Sequence, residues 1–297
     1  MNITVFGGAG FLGSHVCDCL SAAGHSVLIA DVRPSPWLRP DQNFALVDIR
    51  NPAAVADAVH GAEAVFNFAG IADIGEAAAK PVGTAEINVM GNIHILEACR
   101  FAAVRRYIFA SSLYVYGRNG GFYRVSKQAC ELYIHAYQER YGLPCTIVRY
   151  GSLYGPRADK HNAIHRFVSE ALTQGCVTYY GTPDSEREYV HVADAASATA
   201  SLLEPSYAGN NIIITSSHPM RIDALFRMMG EMLGKPLQVR YEHKAESGHY
   251  SLTPYAFMPQ LGRRLVPPLT VDLGQGLLTV MEEVFAKTSP AAAEEYF

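Results

Sequence analysis

The chain has 297 residues, of which 49% are hydrophobic and 18% charged, with a formal net charge of -4. Length and balance permit one large core or two modest ones and exclude a disordered or fibrous protein. No block of like charge points to a nucleic-acid groove or an anionic membrane, and no stretch approaches the roughly 18 apolar residues of a spanning helix. The amino terminus enters an apolar run without the basic segment of a leader, so a cytoplasmic location is expected. Six cysteines without paired spacing read as free thiols, and eleven histidines without a helical His-acid-His pattern give no expectation of a metal.

In chain order, β-branched runs at 2–6, 26–31, 44–47, 64–68, 106–110 and 145–150 alternate with helical patterns at 11–23, 52–60, 82–102 and 126–141. This is the rhythm of repeated strand-helix-strand units, and the strands are apolar enough to be covered on both faces. Asn51-Pro52 opens one helix as cap and first-turn proline, and Gly142 closes another. After Tyr154-Gly155-Pro156 the rhythm breaks into helices near 162–174, 193–203, 222–233 and 273–287 among short strands, with a loose tail at 289–297. The expected fold is α/β: a Rossmann-type doubly wound, mainly parallel sheet with a smaller mixed α/β C-terminal lobe. Residues 1–155 would form the dinucleotide domain and 156–297 mainly the substrate lobe, with 187–215 returning to the first and 210–215 joining its sheet.

Between the first strand and first helix lies Gly7-Gly8-Ala9-Gly10-Phe11-Leu12-Gly13. Glycines three apart let the backbone turn tightly, approach a diphosphate and pack helix against strand, while amides at the helix start face the phosphate charge. Asp31, at the end of the second strand, would accept hydrogen bonds from the adenosine ribose hydroxyls and repel an added phosphate, which favours NAD over NADP; Arg33 nearby is the opposing feature.

Downstream, Tyr123 and Lys127 stand four apart at the start of a helical pattern, hence one turn from each other on one face. A phenol with an ordinary pKa near 10 is a poor base at neutral pH unless a nearby cation stabilises its phenolate, and an adjacent ammonium does so.

With Asp48-Ile49, Asn67-Phe68-Ala69-Gly70, Asn88, Ser111-Ser112, Val115-Tyr116-Gly117, Arg149-Tyr150 and Arg187-Glu188-Tyr189-Val190-His191-Val192, these motifs resemble the extended short-chain dehydrogenases/reductases. Within them the chain is similar to the NAD-dependent nucleotide-sugar epimerases and dehydratases of the UDP-galactose 4-epimerase type, from Thr4 to about Leu278. The resemblance implies that Asp48 and Ile49 meet the adenine, Phe68, Ala69 and Gly70 line the pyrophosphate and ribose path, Asn88 braces the active-site strand, and Tyr150 lies near the nicotinamide. It implies Tyr123 as catalytic base, Lys127 as its partner and holder of the nicotinamide ribose, and Ser112 as hydrogen-bond donor to the reacting oxygen. Leu113, Tyr114, Ser152, Asn162, Arg187 and the Gly248-His249-Tyr250 turn would face a UDP-sugar or related substrate, Arg187 on its diphosphate.

Dehydratases of this family place an Asp-Glu pair directly after the position of Ser112, and decarboxylating relatives keep the glutamate; here Leu113 and Tyr114 stand there. Reversible oxidation at one sugar carbon therefore remains, with epimerisation, at carbon 4, as the expected outcome. The rivals are a one-way keto-sugar reductase or a dehydratase/decarboxylase of the same fold and, in a different class, a non-catalytic dinucleotide-binding regulator. Two departures bear on the sugar: only ten residues separate Ser112 from Tyr123, about half the family's usual loop, and Ser152 and His165 replace a customary asparagine and proline. A homodimer is expected through the helix carrying Lys127, with Cys130, Ile134 and Tyr137 as an apolar stripe that either a partner or the chain's own core would cover.

Overall fold

The computed structural model describes residues 1–216, 219–234 and 236–242, all within one compact unit, Met1–Met258. The expected turn at 248–250, the helix at 273–287 and the tail at 289–297 lie outside the described residues. The elements begin with β1 (Asn2–Phe6), α1 (Phe11–Ala22), β2 (Ser26–Asp31), β3 (Gln42–Leu46), α2 (Pro52–Val59), β4 (Ala64–Asn67), α3 (Ile74–Ala79) and α4 (Pro81–Thr84). A π-helical turn (Ala85–Met90), α5 (Gly91–Phe101), β5 (Arg106–Ser112), a 3-10 turn (Leu113–Tyr116), α6 (Gly121–Tyr141) and β6 (Cys145–Tyr150) follow. Then come β7 (Ser152–Tyr154), α7 (Ala163–Gln174), β8 (Cys176–Tyr180), β9 (Glu186–Arg187), β10 (Tyr189–His191) and α8 (Val192–Ser201). The last described elements are β11 (Asn211–Ile214), β12 (Met220–Arg221), α9 (Ile222–Met232) and β13 (Gln238–Glu242).

Seven strands make the main sheet in the order β3-β2-β1-β4-β5-β6-β11, and every neighbouring pair is parallel. Parallel neighbours need crossovers, and the crossover helices cover both faces, which is why these strands are apolar on both sides. Phe6, Val65, Tyr107, Phe109 and Ile147 pack with side chains of α2, α5 and α6. The alternate residues Val5, Ile29, Phe66, Ile108 and Val148 pack with side chains of α1 and α8. A third, smaller core joins α7, β8 and α9 through Phe167, Val177, Tyr179, Ile222 and Phe226, with the Phe167 and Phe226 rings edge to face at 5.1 Å. From β1 and β4, adjacent at the sheet centre, the chain departs in opposite directions, so the loops after them part and open a crevice at the carboxyl edge.

Local chemistry sets the boundaries. Asn51 caps α2 by accepting from the amides of Ala53 and Ala54, with Pro52 in the first turn, and Gly142 ends α6 with φ 67°. Two helices depart from expectation in kind or by more than two residues. The helix expected over 82–102 is α4, the π-helical turn and α5, because Asn88 inside the wide turn bonds to Ile71 and Ser126, tertiary partners that no local pattern reveals. Helix α6 begins at Gly121, five residues before the expected start, because Gly120 (φ 95°) turns the chain directly into it. Of the stripe Cys130, Ile134 and Tyr137, the first two are fully buried in the chain's own core, and Tyr137 donates its hydroxyl to Glu97. The exposed large apolar positions of α6 are instead Phe122, Val125, Leu132, Tyr133 and Tyr141. All six cysteines are free; burial pushes the thiols of Cys130 and Cys145 up to about 11 and about 12, which leaves them protonated and inert.

At Gly13 an added Cβ would strike the carbonyl oxygen of Gly7 and lie 3.0 Å from Cα of Gly8. Gly13→Ala is therefore expected to cost about 1–3 kcal/mol by overpacking backbone against backbone. A thermal melt followed by circular dichroism checks this; an unchanged midpoint contradicts it.

Candidate active site

The loop after β1 turns at Gly7 with a φ of 74°, and a Cβ added there would lie 2.6 Å from the Ala69 amide nitrogen, so conformation and space both require glycine. Gly10 is the N-cap of α1 and supplies no side chain to the first-turn amides of Phe11, Leu12 and Gly13. A Cβ there would meet only the Gly7 carbonyl, so the backbone is bare on its outer side. Uncapped amides behind a side-chain-free loop fit a dinucleotide diphosphate in charge and in space. At the end of β2, Asp31 accepts from the Ala9 amide at 3.0 Å, which sets its carboxylate beside this loop, where the adenosine ribose of a bound dinucleotide would lie.

The other expected cofactor residues divide into open and packed. Phe68, Ala69 and Gly70 follow β4; Ala69 donates to Asn67 Oδ1, and Gly70 (φ 150°) lies against the Asn88 amide, leaving a smooth strip beside the glycine loop. Asn88 accepts from the Ile71 amide at 2.7 Å and donates to the Ile71 carbonyl at 3.0 Å and Ser126 Oγ at 2.9 Å, so it braces that strip against α6. Asp48 is held by the backbone and guanidinium of Arg50, which keeps its carboxyl below the usual range, and Ile49 is buried against Gly91. Tyr150 pairs in register with Ser112 but sends its hydroxyl into the core, 2.7 Å from Thr199 Oγ1, and burial pushes its pKa up.

Ser112 ends β5, where its Oγ accepts from the Tyr114 amide at 3.3 Å. Tyr123 and Lys127 occupy the first two turns of α6. The Lys127 ammonium is buried: it donates to the Ala110 carbonyl at 2.8 Å and lies 4.8 Å from the Phe109 ring centre and 5.9 Å from that of Tyr123. Burial lowers the pKa of Lys127. Tyr114 sets its ring edge-on against Tyr123, centres 6.1 Å apart, and is itself fixed by the close approach of Gly120. A phenol one turn from a dry cation can take a proton from an alcohol and return it.

A concavity opens next to this group, lined by Tyr114, Ser152, Arg166, Tyr180, Arg187 and Tyr189 among others. It gathers three of the expected substrate residues, Tyr114, Ser152 and Arg187. Two others lie elsewhere: Leu113 is 1% exposed and lines no part of the concavity, because the 3-10 turn directs it inward. Asn162 is the N-cap of α7, accepting from the His165 amide and donating to the Leu153 carbonyl, so one end of its amide caps the helix and the other ties it to β7. Sequence reasoning missed Arg166, Tyr180 and Tyr189; the available signal was the run Tyr179-Tyr180-Gly181, aromatic residues alternating faces before a glycine at φ 152°. Among the described residues no cluster of His, Cys, Asp and Glu is placed to hold a metal, and no helix is long and apolar enough to cross a membrane.

The chain is similar to a putative UDP-glucose 4-epimerase of Methanocaldococcus jannaschii, 28% identical with 84% of this chain and 88% of that protein covered. In structure it resembles the Thermus thermophilus UDP-glucose 4-epimerase complex with NAD, with a TM-score of 0.79 and 27% identity over 89% of this chain and 95% of the other. It is also similar to a dTDP-glucose 4,6-dehydratase of Streptomyces venezuelae bound to NAD, with a TM-score of 0.78 and 27% identity over 93% and 94% of the two chains. Residues 3–214 match the family model, and with the glycine loop, Asp31 and the Tyr123–Lys127 pair in place, the chain belongs to the NAD dependent epimerase/dehydratase family.

Proposed function

We propose that the protein is a cytoplasmic epimerase acting on a nucleotide-activated sugar, with a UDP-sugar as the favoured substrate and carbon 4 as the centre inverted. The observation that carries this reading is the buried Lys127 ammonium beneath the Tyr123 ring, held by the Ala110 carbonyl near the carboxyl end of β5, the strand that ends in Ser112. Bound NAD would supply reversible uptake of a hydride from the sugar carbon. Residues 10–13 and Asp31 would hold it by backbone amides and one carboxylate, with 68–70 alongside. Tyr123 removes the hydroxyl proton as that hydride leaves, and gives it back when hydride returns to the opposite face of the keto sugar. Ser112 donates to the reacting oxygen in both directions. Arg187 neutralises substrate diphosphate, while Tyr114 and Ser152 confine the sugar. With Leu113 packed inward and a tyrosine at 114, no carboxylate from these two positions is available for dehydration, which supports epimerisation over the reaction of the dehydratase relative.

Three outcomes test the reading. Tyr123→Phe is expected to lower kcat by about 10²–10⁴-fold on the true substrate, found by incubating NAD-loaded protein with UDP-, GDP-, CDP- and dTDP-sugars and separating the products. An epimer formed at the wild-type rate by this variant rules out the assigned base. The active form requires the phenolate, so activity falls as pH drops through the Tyr123 pKa. Lys127→Met removes the cation that favours that phenolate and moves the acidic limb of the kcat/KM profile to higher pH; a limb that stays in place rules out the pairing. A homodimer through α6 would cover Leu132, 70% exposed, and Tyr133, 45% exposed. Leu132→Asp is expected to halve the mass measured by sedimentation equilibrium.

A further inference from the structure

The proposed chemistry draws on residues from separate elements: Ser112 on β5, Tyr114 on the 3-10 turn, and Tyr123 and Lys127 on α6. Directly behind them runs a buried network that joins Ser111, next to Ser112, and Tyr116 of the turn to Glu131 on the helix. Glu131, one helical turn beyond Lys127, accepts from Ser111 Oγ at 2.5 Å, and Arg149 on β6 clasps its carboxylate with Nε at 3.0 Å and Nη2 at 2.6 Å. The same guanidinium donates through Nη1 to the Tyr116 hydroxyl at 2.5 Å and lies 4.7 Å over that ring. Side-chain exposure is 9% for Glu131 and 14% for Arg149, so solvent does little to screen the pair.

We infer that Glu131 and Arg149 are positioning residues for the acid-base site, a pin that fixes the depth and rotation of α6 against β5, β6 and the turn. The inference rests on the reading of Tyr123 as base. Two carboxylate oxygens facing a planar fork have essentially one favourable geometry, whereas apolar contacts let a helix slide or roll by fractions of an ångström. A buried ion pair adds little stability over well-packed apolar replacements, so its value here is in registry. Tyr123, Lys127 and Glu131 follow one another at four-residue intervals on one helix face, so a roll of α6 about its axis moves the phenol relative to Ser112. Lys127 from its own helix and the Tyr114 ring from the turn are among the groups that face Tyr123, and Tyr116 of that same turn is bonded to the network.

The test compares NAD-loaded wild type with Arg149→Lys and with the double replacement Glu131→Met/Arg149→Met. Tyrosinate absorbance is titrated, and Tyr123 is isolated by subtracting the spectrum of Tyr123→Phe in each background. Tyr123 is expected to ionise below the ordinary value of about 10 in the wild type and about one pH unit higher in the variants, with kcat reduced about tenfold, KM little changed and melting temperature retained. A variant that melts like the wild type and keeps both the Tyr123 titration and kcat overturns the inference. If the double variant does not fold, Arg149→Lys, which keeps the charge and loses the fork, decides by the same criteria. Should wild-type Tyr123 ionise at its ordinary value, the base assignment fails and amide hydrogen exchange over 121–127 judges the pin. Faster exchange there in Arg149→Lys, with the sheet unchanged, sustains it; unchanged exchange overturns it.

Discussion

A lysine ammonium held out of water is the constraint from which most of the site follows. Lys127 gives up hydration, and what it receives is one carbonyl from β5, the face of Phe109 and the neighbouring phenol of Tyr123. A cation so placed favours any group able to carry negative charge nearby, and Tyr123 is the residue one turn away. The arrangement depends on α6 starting at Gly121, since a helix that began at 126 would leave Tyr123 on a loop without fixed distance to the lysine. It also depends on the carboxyl edge of β5, which supplies both the Ala110 carbonyl and Ser112.

The short segment between Ser112 and Tyr123 has a physical counterpart. Gly120 turns into α6 with positive φ and packs on the ring of Tyr114, which in turn meets Tyr123 edge-on. Aromatic contact thus fills the space beside Tyr123. The Arg124 guanidinium ties the turn by donating to the Gly117 carbonyl at 2.8 Å.

Much of the site was legible because its chemistry is local. The glycine loop, the acid ending β2 and the four-residue spacing of Tyr123 and Lys127 each depend on a few adjacent residues. Where sequence reading went astray, a distant partner had won. Asn162 serves as a helix cap, and Tyr150 turns its hydroxyl to Thr199. The π-helical turn around Asn88 likewise answers to Ile71 and Ser126, far away along the chain.

By itself the sequence determined the parallel α/β class, the glycine turn between β1 and α1 and the one-turn spacing of Tyr123 and Lys127, because periodicity, glycine spacing and helical repeat are properties of short segments. Only the tertiary structure decided that the seven described strands of the main sheet are all parallel, that Arg166, Tyr180 and Tyr189 meet Tyr114 and Arg187 in one concavity, and that Glu131 and Arg149 lock α6 to the sheet. Those outcomes rest on contacts between elements many residues apart, where burial and complementary charge outweigh local preference.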